Sequence, residues 1–323
     1  MKYAKLAIGT LTGVALAATA QAQTVGIGST KSSAVAQITA TISKVVSEAG
    51  VGLQMRKQTM GGTQQYIPVV NAGELDFGIS NIAQYYMAVT GTGLSEGTKY
   101  DKLRLVSNMM KFSVGFVVPR KDGFKSVADL KGKRLGYGFK AAPLFSHVTG
   151  GGIMSVGLSY DDVQKVPAVG LVQSWRMFME GKLDAVIAAS GSGFVKQMNA
   201  KIDGGVEFLS FPNTQAALDR VHKVFPKTYW SVVKPGKGLT AVRKPTTLIT
   251  YDYLLWTHKS EPDEVVYKIA KIMYTKAKEL KGGGPLWKSY DPKDVAKNEG
   301  ADLPYHPAAI KFYKEAGVWP GKM

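Results

Sequence analysis

The chain has 323 residues, enough for two domains at about 150 residues each. Its 45% hydrophobic and 20% charged content supports a buried core and excludes a disordered chain. Lysine and arginine total 41 against 24 acids, a net charge of +17 that favours acidic partners, and the absence of cysteine excludes disulfides, a thiol nucleophile, a thiolate zinc site and a lipid-modified N-terminal cysteine.

Lys2 and Lys5 flank the start of an apolar and small-residue run from Leu6 to Ala20, closed by Ala20-Gln21-Ala22. The order of charged, apolar and small residues is that of a secretory signal peptide. The run is shorter than the roughly 20 apolar residues of a membrane span. Cleavage is therefore expected near Ala22, with residues 1–22 lost and a soluble periplasmic chain of charge +15 remaining. Nucleic acid is not an expected partner, because there is no RNP-like aromatic motif and no dense basic run.

Thr24–Gly28 reads as a strand, Ser29-Thr30-Lys31-Ser32-Ser33 as a polar loop, and Val35, Ile38, Ile42, Val45 and Val46 as the buried stripe of a helix. Thr59–Thr63 is a second polar loop before Gln64–Val70, where Pro68 predicts a helix that begins near Ile67 or is kinked. Gly73-Glu74-Leu75-Asp76 leads into a short strand ending at Ser80-Asn81, and a helix follows over Gln84–Val89.

The plan then returns. Lys133–Tyr137 reads as a strand, Gly138–Pro143 as a loop, and Leu144–Val156 as a helix weakened by three successive glycines. After a helix over Gln173–Met179, Gly181-Lys182-Leu183-Asp184 repeats the G-x-L-D pattern before a strand that ends in Ser190-Gly191-Ser192-Gly193. Gly28 lies 45 residues before Gly73, and Gly138 lies 43 before Gly181. Two lobes of like design are expected. Phe112–Arg120 and Leu248–Trp256 are β-rich and predicted to cross between them, followed by helices near 261–281, 292–299 and 307–316. The resulting fold class is α/β, with lobe one over 23–114 plus 252–323 and lobe two over 115–251.

Strand-to-helix junctions gather backbone N–H groups that attract anions, and ligands of open α/β sheets bind beyond the strands' C-terminal ends. Five polar junctions fit: Gly28–Ser33, Thr59–Thr63, Ser80–Asn81, Gly138–Pro143 and Ser190–Ser192. Each is also an ordinary set of turn and cap residues, and only their matching positions favour one shared cleft. Lys31 and Lys140 are candidate partners of a ligand carboxylate, or solvent-facing lysines. Tyr85, Tyr86, Phe139 and Tyr251 are candidate cleft walls, or core. His147, His222, His258 and His306 are isolated and lack metal-ligand spacing, and no nucleophile elbow, zinc-protease or Walker motif occurs. No catalytic residue, metal or cofactor is expected.

The chain resembles the TAXI solute-binding proteins of tripartite ATP-independent periplasmic (TRAP) transporters over nearly its whole mature length. The resemblance rests on Ile27-Gly28-Ser29-Thr30, Thr59-Met60-Gly61-Gly62-Thr63, Asn71–Ile79, Ser126–Arg134, Gly181–Ala185 and, most specifically, Leu303–Tyr313. It implies a type II, two-lobed periplasmic-binding-protein fold that closes on a small organic anion (a dicarboxylate, 2-oxo acid or glutamate-like amino acid) and delivers it to TRAP permease subunits. By position, the implied contacts fall on Gly28, Ser29, Thr30, Lys31 and Ser32, on Met60, Gly61 and Gly62, on Ser80 and Asn81, and on Phe139, Lys140, Ser190 and Ser192. The first loop and the middle-lobe loop depart from the family pattern, and two added lysines suit a di- or tricarboxylate. The rival readings are a receptor of an ATP-driven importer or sensor, and a periplasmic enzyme.

Overall fold

The computed structural model describes residues 22–31, 34–297 and 303–320. Residues 1–21 of the expected signal segment 1–22, the candidate Ser32 and the end of the helix expected over 292–299 lie outside these residues. The first lobe opens with β1 (Gln23–Thr30), α1 (Ala34–Glu48), β2 (Leu53–Met60), α2 (Thr63–Ala72), β3 (Phe77–Asn81) and α3 (Ile82–Thr90). The long strand β4 (Leu103–Pro119) then leaves it. The second lobe follows with β5 (Arg134–Gly138), α4 (Leu144–Met154), β6 (Gln164–Ala168), α5 (Leu171–Met179), β7 (Val186–Ala189), α6 (Gly193–Lys201), β8 (Val206–Phe208), α7 (Gln215–His222) and β9 (Tyr229–Val233). The second long strand, β10 (Thr246–His258), returns to the first lobe, which ends in α8 (Asp263–Thr275), α9 (Ala277–Gly282) and α10 (Pro307–Glu315).

One eight-stranded sheet runs in the order β2-β1-β3-β10-β4-β7, with β8 beside β4 and β9 beside β10. β5 and β6 form a parallel pair that meets β7 through the Leu135–Ala185 bridge. Strands β1, β2 and β3 are parallel to one another and β10 is antiparallel to β3. Only β4 and β10 belong to both lobes. All 13 residues of β10 are buried, as a strand covered on both faces requires.

The first lobe's core gathers around Trp256. Its indole is fully buried, donates from Nε1 to Ser80 Oγ at 3.0 Å, and lies 6.0 Å from the Tyr66 ring and 6.1 Å from the Tyr85 ring. Gly28 has no side chain because Tyr66 occupies the space: a Cβ there would sit 2.6 Å from that ring. The repeated G-x-L-D motif has one structural task in each lobe. Asp76 accepts the backbone N–H of Gly26 on β1, and Asp184 accepts that of Arg134 on β5 at 2.7 Å, both across 50 residues.

Three sequence expectations change. α2 starts at Thr63 and not near Ile67, so of the two arrangements allowed the one with Pro68 inside the helix remains, with the proline exposed and one helix carbonyl left without its donor. The helix expected over 261–281 is two helices, divided where Lys276 leaves helical dihedrals (φ −100°, ψ 31°). The helix expected from 292 is a single tight turn at Pro292–Asp294, capped by Asp291.

Where the long strands pass between lobes, Lys111–Val114 pair with Asp252–Ile249, and the register slips between Asp252 and Leu254. Asp252 is buried there. It accepts the Tyr229 phenol hydrogen at 3.0 Å and lies 3.4 Å from Lys297 Nζ, which also sits 5.0 Å over the Tyr229 ring. The contact joins β9 of the second lobe to the C-terminal segment of the first.

Candidate functional site

The strand registers fix where the polar junctions lie. In the first lobe Thr30 is level with Met60, and Ile27 with Phe77, so the ends of β1, β2 and β3 coincide at Thr30, Met60 and Ser80. In the second, Gly138 is level with Ala168, and Leu135 with Ala185, so the ends of β5, β6 and β7 also coincide. β3 runs antiparallel to β10 and reaches Tyr253 at its end, while β7 runs antiparallel to β4 and reaches Val114 at its end. The C-terminal ends of the two parallel sets therefore point at each other across the crossing strands.

The floor between them is narrow. Asn81 is the register partner of Tyr253. Ser190 donates its N–H to the Ser113 carbonyl at 2.9 Å, and Ser113 Oγ meets Thr250 Oγ1 at 2.8 Å. Thr250 and Tyr253 are three residues apart on one strand, about 10 Å at the usual rise. The β3–α3 and β7–α6 junctions thus lie close together along the crossing strands.

The side chains at these junctions divide into two groups. Ser29, Ser80 and Asn81 are buried and committed to the fold. Ser29 pairs with Thr39 at 2.7 Å, Ser80 receives Trp256, and Asn81 caps α3 by accepting Gln84 N–H at 2.9 Å. Phe139, with φ of 39°, turns its ring into the second lobe, where it borders a closed space of about 10 Å³ beside Phe116 and Ser174. Gly28 is closed off by Tyr66. Lys31, Gly61 and Lys140 are exposed, and Thr30, Met60, Gly62, Ser190 and Ser192 are half-buried. Of the aromatic candidates, Tyr85 and Tyr251 are core and Tyr86 is half-buried.

Two residues outside the candidate set perform matching tasks. α2 and α5 both begin after a glycine, Gly62 and Gly170, that has no side-chain oxygen to cap them. In each case the glutamine three residues on reaches back: Gln65 Oε1 accepts Gly61 N–H at 2.7 Å, and Gln173 Oε1 accepts Val169 N–H at 2.6 Å. The G-x-x-Q spacing was there to be read in both lobes. A third feature is charge. Residues 220–251 carry seven lysines and arginines and no acid. Their Gly236–Leu239 turn packs on the junction of β7 and α6, with Leu239 Cδ2 3.9 Å from the Cβ position of Gly191.

Elsewhere, a groove of about 850 Å³ lies on the outer end of the first lobe, between α8, α10 and the turn after α1, away from the strand ends. Among the described residues no cluster of His, Asp or Glu has the arrangement of a metal site, and no helix is long and apolar enough to cross a membrane.

Two α/β lobes with facing strand ends, joined by two continuous strands, form the architecture of the periplasmic solute-binding proteins. The same fold is found in the periplasmic aliphatic sulphonate binding protein SsuA from Escherichia coli (TM-score 0.50, 14% identity, 93% of this chain and 94% of that one). It is also found in a TctC solute binding protein from Polaromonas (TM-score 0.51, 11% identity, 83% and 90%). The chain belongs to the NMT1-like family, whose model matches residues 24–317. A Haemophilus influenzae protein provisionally named for thiamine biosynthesis is 29% identical over 185 residues, 55% of this chain and 53% of that protein. The chain thus spans about half the length of this curated relative.

Proposed function

We propose that the chain is an extracytoplasmic receptor that closes its lobes on a small organic anion and delivers it to a membrane permease. The observation that carries this reading is the opposition of two sets of strand ends, with exposed Lys31 on one side and exposed Lys140 on the other. Uncapped helix N-termini at Gly62 and Gly170 add partial positive charge to the same gap. Family membership and the fold support a binding role over catalysis.

Finer parts of the reading rest on the motifs. The Leu303–Tyr313 segment and the Thr59–Thr63 loop support a TAXI-type receptor working with TRAP permease subunits. The Leu6–Ala22 pattern supports export to the periplasm and cleavage near Ala22. We take lobe one as 23–114 plus 252–323 and lobe two as 115–251, divided where the neighbours of β4 and β10 change. Closure must be favoured by the ligand's higher affinity for the closed state.

The test is a thermal-shift screen of organic acids on the purified protein. A ligand at about 100 times its Kd adds roughly 2.7 kcal/mol to folding. Lys31→Ala and Lys140→Ala should each weaken an anionic hit, by roughly 1.5–3 kcal/mol if the lysine makes a charge-assisted hydrogen bond. A hit unaffected by both changes would place the ligand outside the gap.

A further inference from the structure

The two faces of the gap are chemically unlike. Around the first lobe's strand ends the accessible helix-start residues are Gln64, Gln65, Ala34 and Ala36, while apolar Val35 and Ile82 are buried. Asn81 and Gln84 lie beneath this face, buried and joined amide to amide at 2.9 Å. The second lobe does the reverse. Val172 in the first turn of α5 is exposed, and Phe145 of α4, Leu171 of α5 and Phe194 of α6 are half-buried, each with part of its side chain packed on the core. Val169, immediately after β6, is 57% exposed, and Val172 is 40% exposed. Among the described residues only two other large apolar side chains are as open, Tyr137 and Val232. Single exposed apolar residues are ordinary, but several at one end of one lobe mark a surface that receives something.

The same face carries a cation. The Val169 carbonyl accepts the Ala141 N–H at 2.8 Å, which ties the loop of exposed Lys140 to the two valines. An ammonium beside exposed valines, opposite the accessible amides of Gln64 and Gln65, suits a ligand with one charged end and one apolar end. We infer that the bound solute is an amphiphilic monoanion, an aryl or branched-alkyl carboxylate, whose apolar body seats on Val169 and Val172. This deepens the receptor reading above and rests on it, and it replaces a compact di- or tricarboxylate as the expected ligand. A second carboxylate placed on the valines would lose its water with no donor there to replace it.

Calorimetric titration of the full chain with phenylacetate and 4-methylpentanoate, against succinate and citrate, tests the inference. At least one amphiphilic acid should bind about 10-fold or more tighter than either polyacid, with a negative heat-capacity change from apolar burial. The double variant Val169→Ser, Val172→Ser should weaken that acid about 10-fold or more and leave the polyacids unchanged. Both positions are exposed, and an unchanged melting curve without ligand confirms that the variant folds. If a polyacid binds tighter, or if the variant binds the amphiphilic acid as the native chain does, the inference is overturned and the receptor reading stands. If the wider acid screen also finds no ligand, both fall.

Discussion

Lys297 places its ammonium 3.4 Å from the carboxylate of Asp252, an acid only 1% exposed at the crossing of the two long strands. The pair joins the two lobes at this crossing, because Tyr229 of β9 donates to the same carboxylate. Removing one member of a buried ion pair leaves the other charge desolvated.

Lys297→Met should therefore lower stability by about 3 kcal/mol in urea unfolding. Adding Asp252→Asn should recover part of that loss, since the stranded charge is then gone. A double variant no better than Lys297→Met would show that the ammonium acts through packing on Tyr229 instead.

Gly28 supplies a second expectation. A methyl group there meets the Tyr66 ring at 2.6 Å, and that ring is fully buried. Gly28→Ala should cost about 1–3 kcal/mol as overpacking. Pairing it with Tyr66→Leu should cost less than the sum of the single changes, measured by the same unfolding curves.

Stability should also depend on Glu261. Burial, helped by the nearby Asp76 carboxylate, raises its carboxyl from an ordinary 4.5 to about 7. The folded state thus holds this proton more tightly than the unfolded chain. The stabilisation is complete below about pH 4.3 and is lost as pH rises through about 7. At pH 8 Glu261→Gln should be more stable than the native chain by about 1–3 kcal/mol, with the difference vanishing at pH 4. Melting curves at the two pH values check it, and an equal gain at both would remove Glu261 as the cause.

Much of the architecture was legible because it repeats. The G-x-L-D motif marked the start of β3 and β7, and in the structure Asp76 and Asp184 each fasten the first strand of their lobe. The crossing strands showed as long β-rich runs, although β4 begins nine residues before the run that marked it. β2 was missed because Arg56, Lys57, Gln58 and Thr59 are exposed on an edge strand and carry no apolar alternation. β8 was missed because it is three residues long, and β9 because its residues are only partly buried.

The site was harder to read than the fold. Position along a strand predicts which junctions share the gap, and the registers place them there. It does not say whether a hydroxyl faces outward or pairs inward, so Ser29 and Ser80 read like Ser190 in sequence. The apolar face of the second lobe was hidden for a related reason. Val172 looks like part of any helix's buried stripe until the fold leaves it 40% exposed, beside half-buried Leu171.

The ladder between β4 and β10 continues through the hinge, from Lys111 with Asp252 to Val114 with Ile249. A loose linker would swing freely, but a hydrogen-bonded ribbon bends and twists as one piece. Any change in the angle between the lobes then has to deform this ladder, which opposes it with a restoring torque. Amide protons of the ribbon should exchange slowly whether the jaws are apart or together.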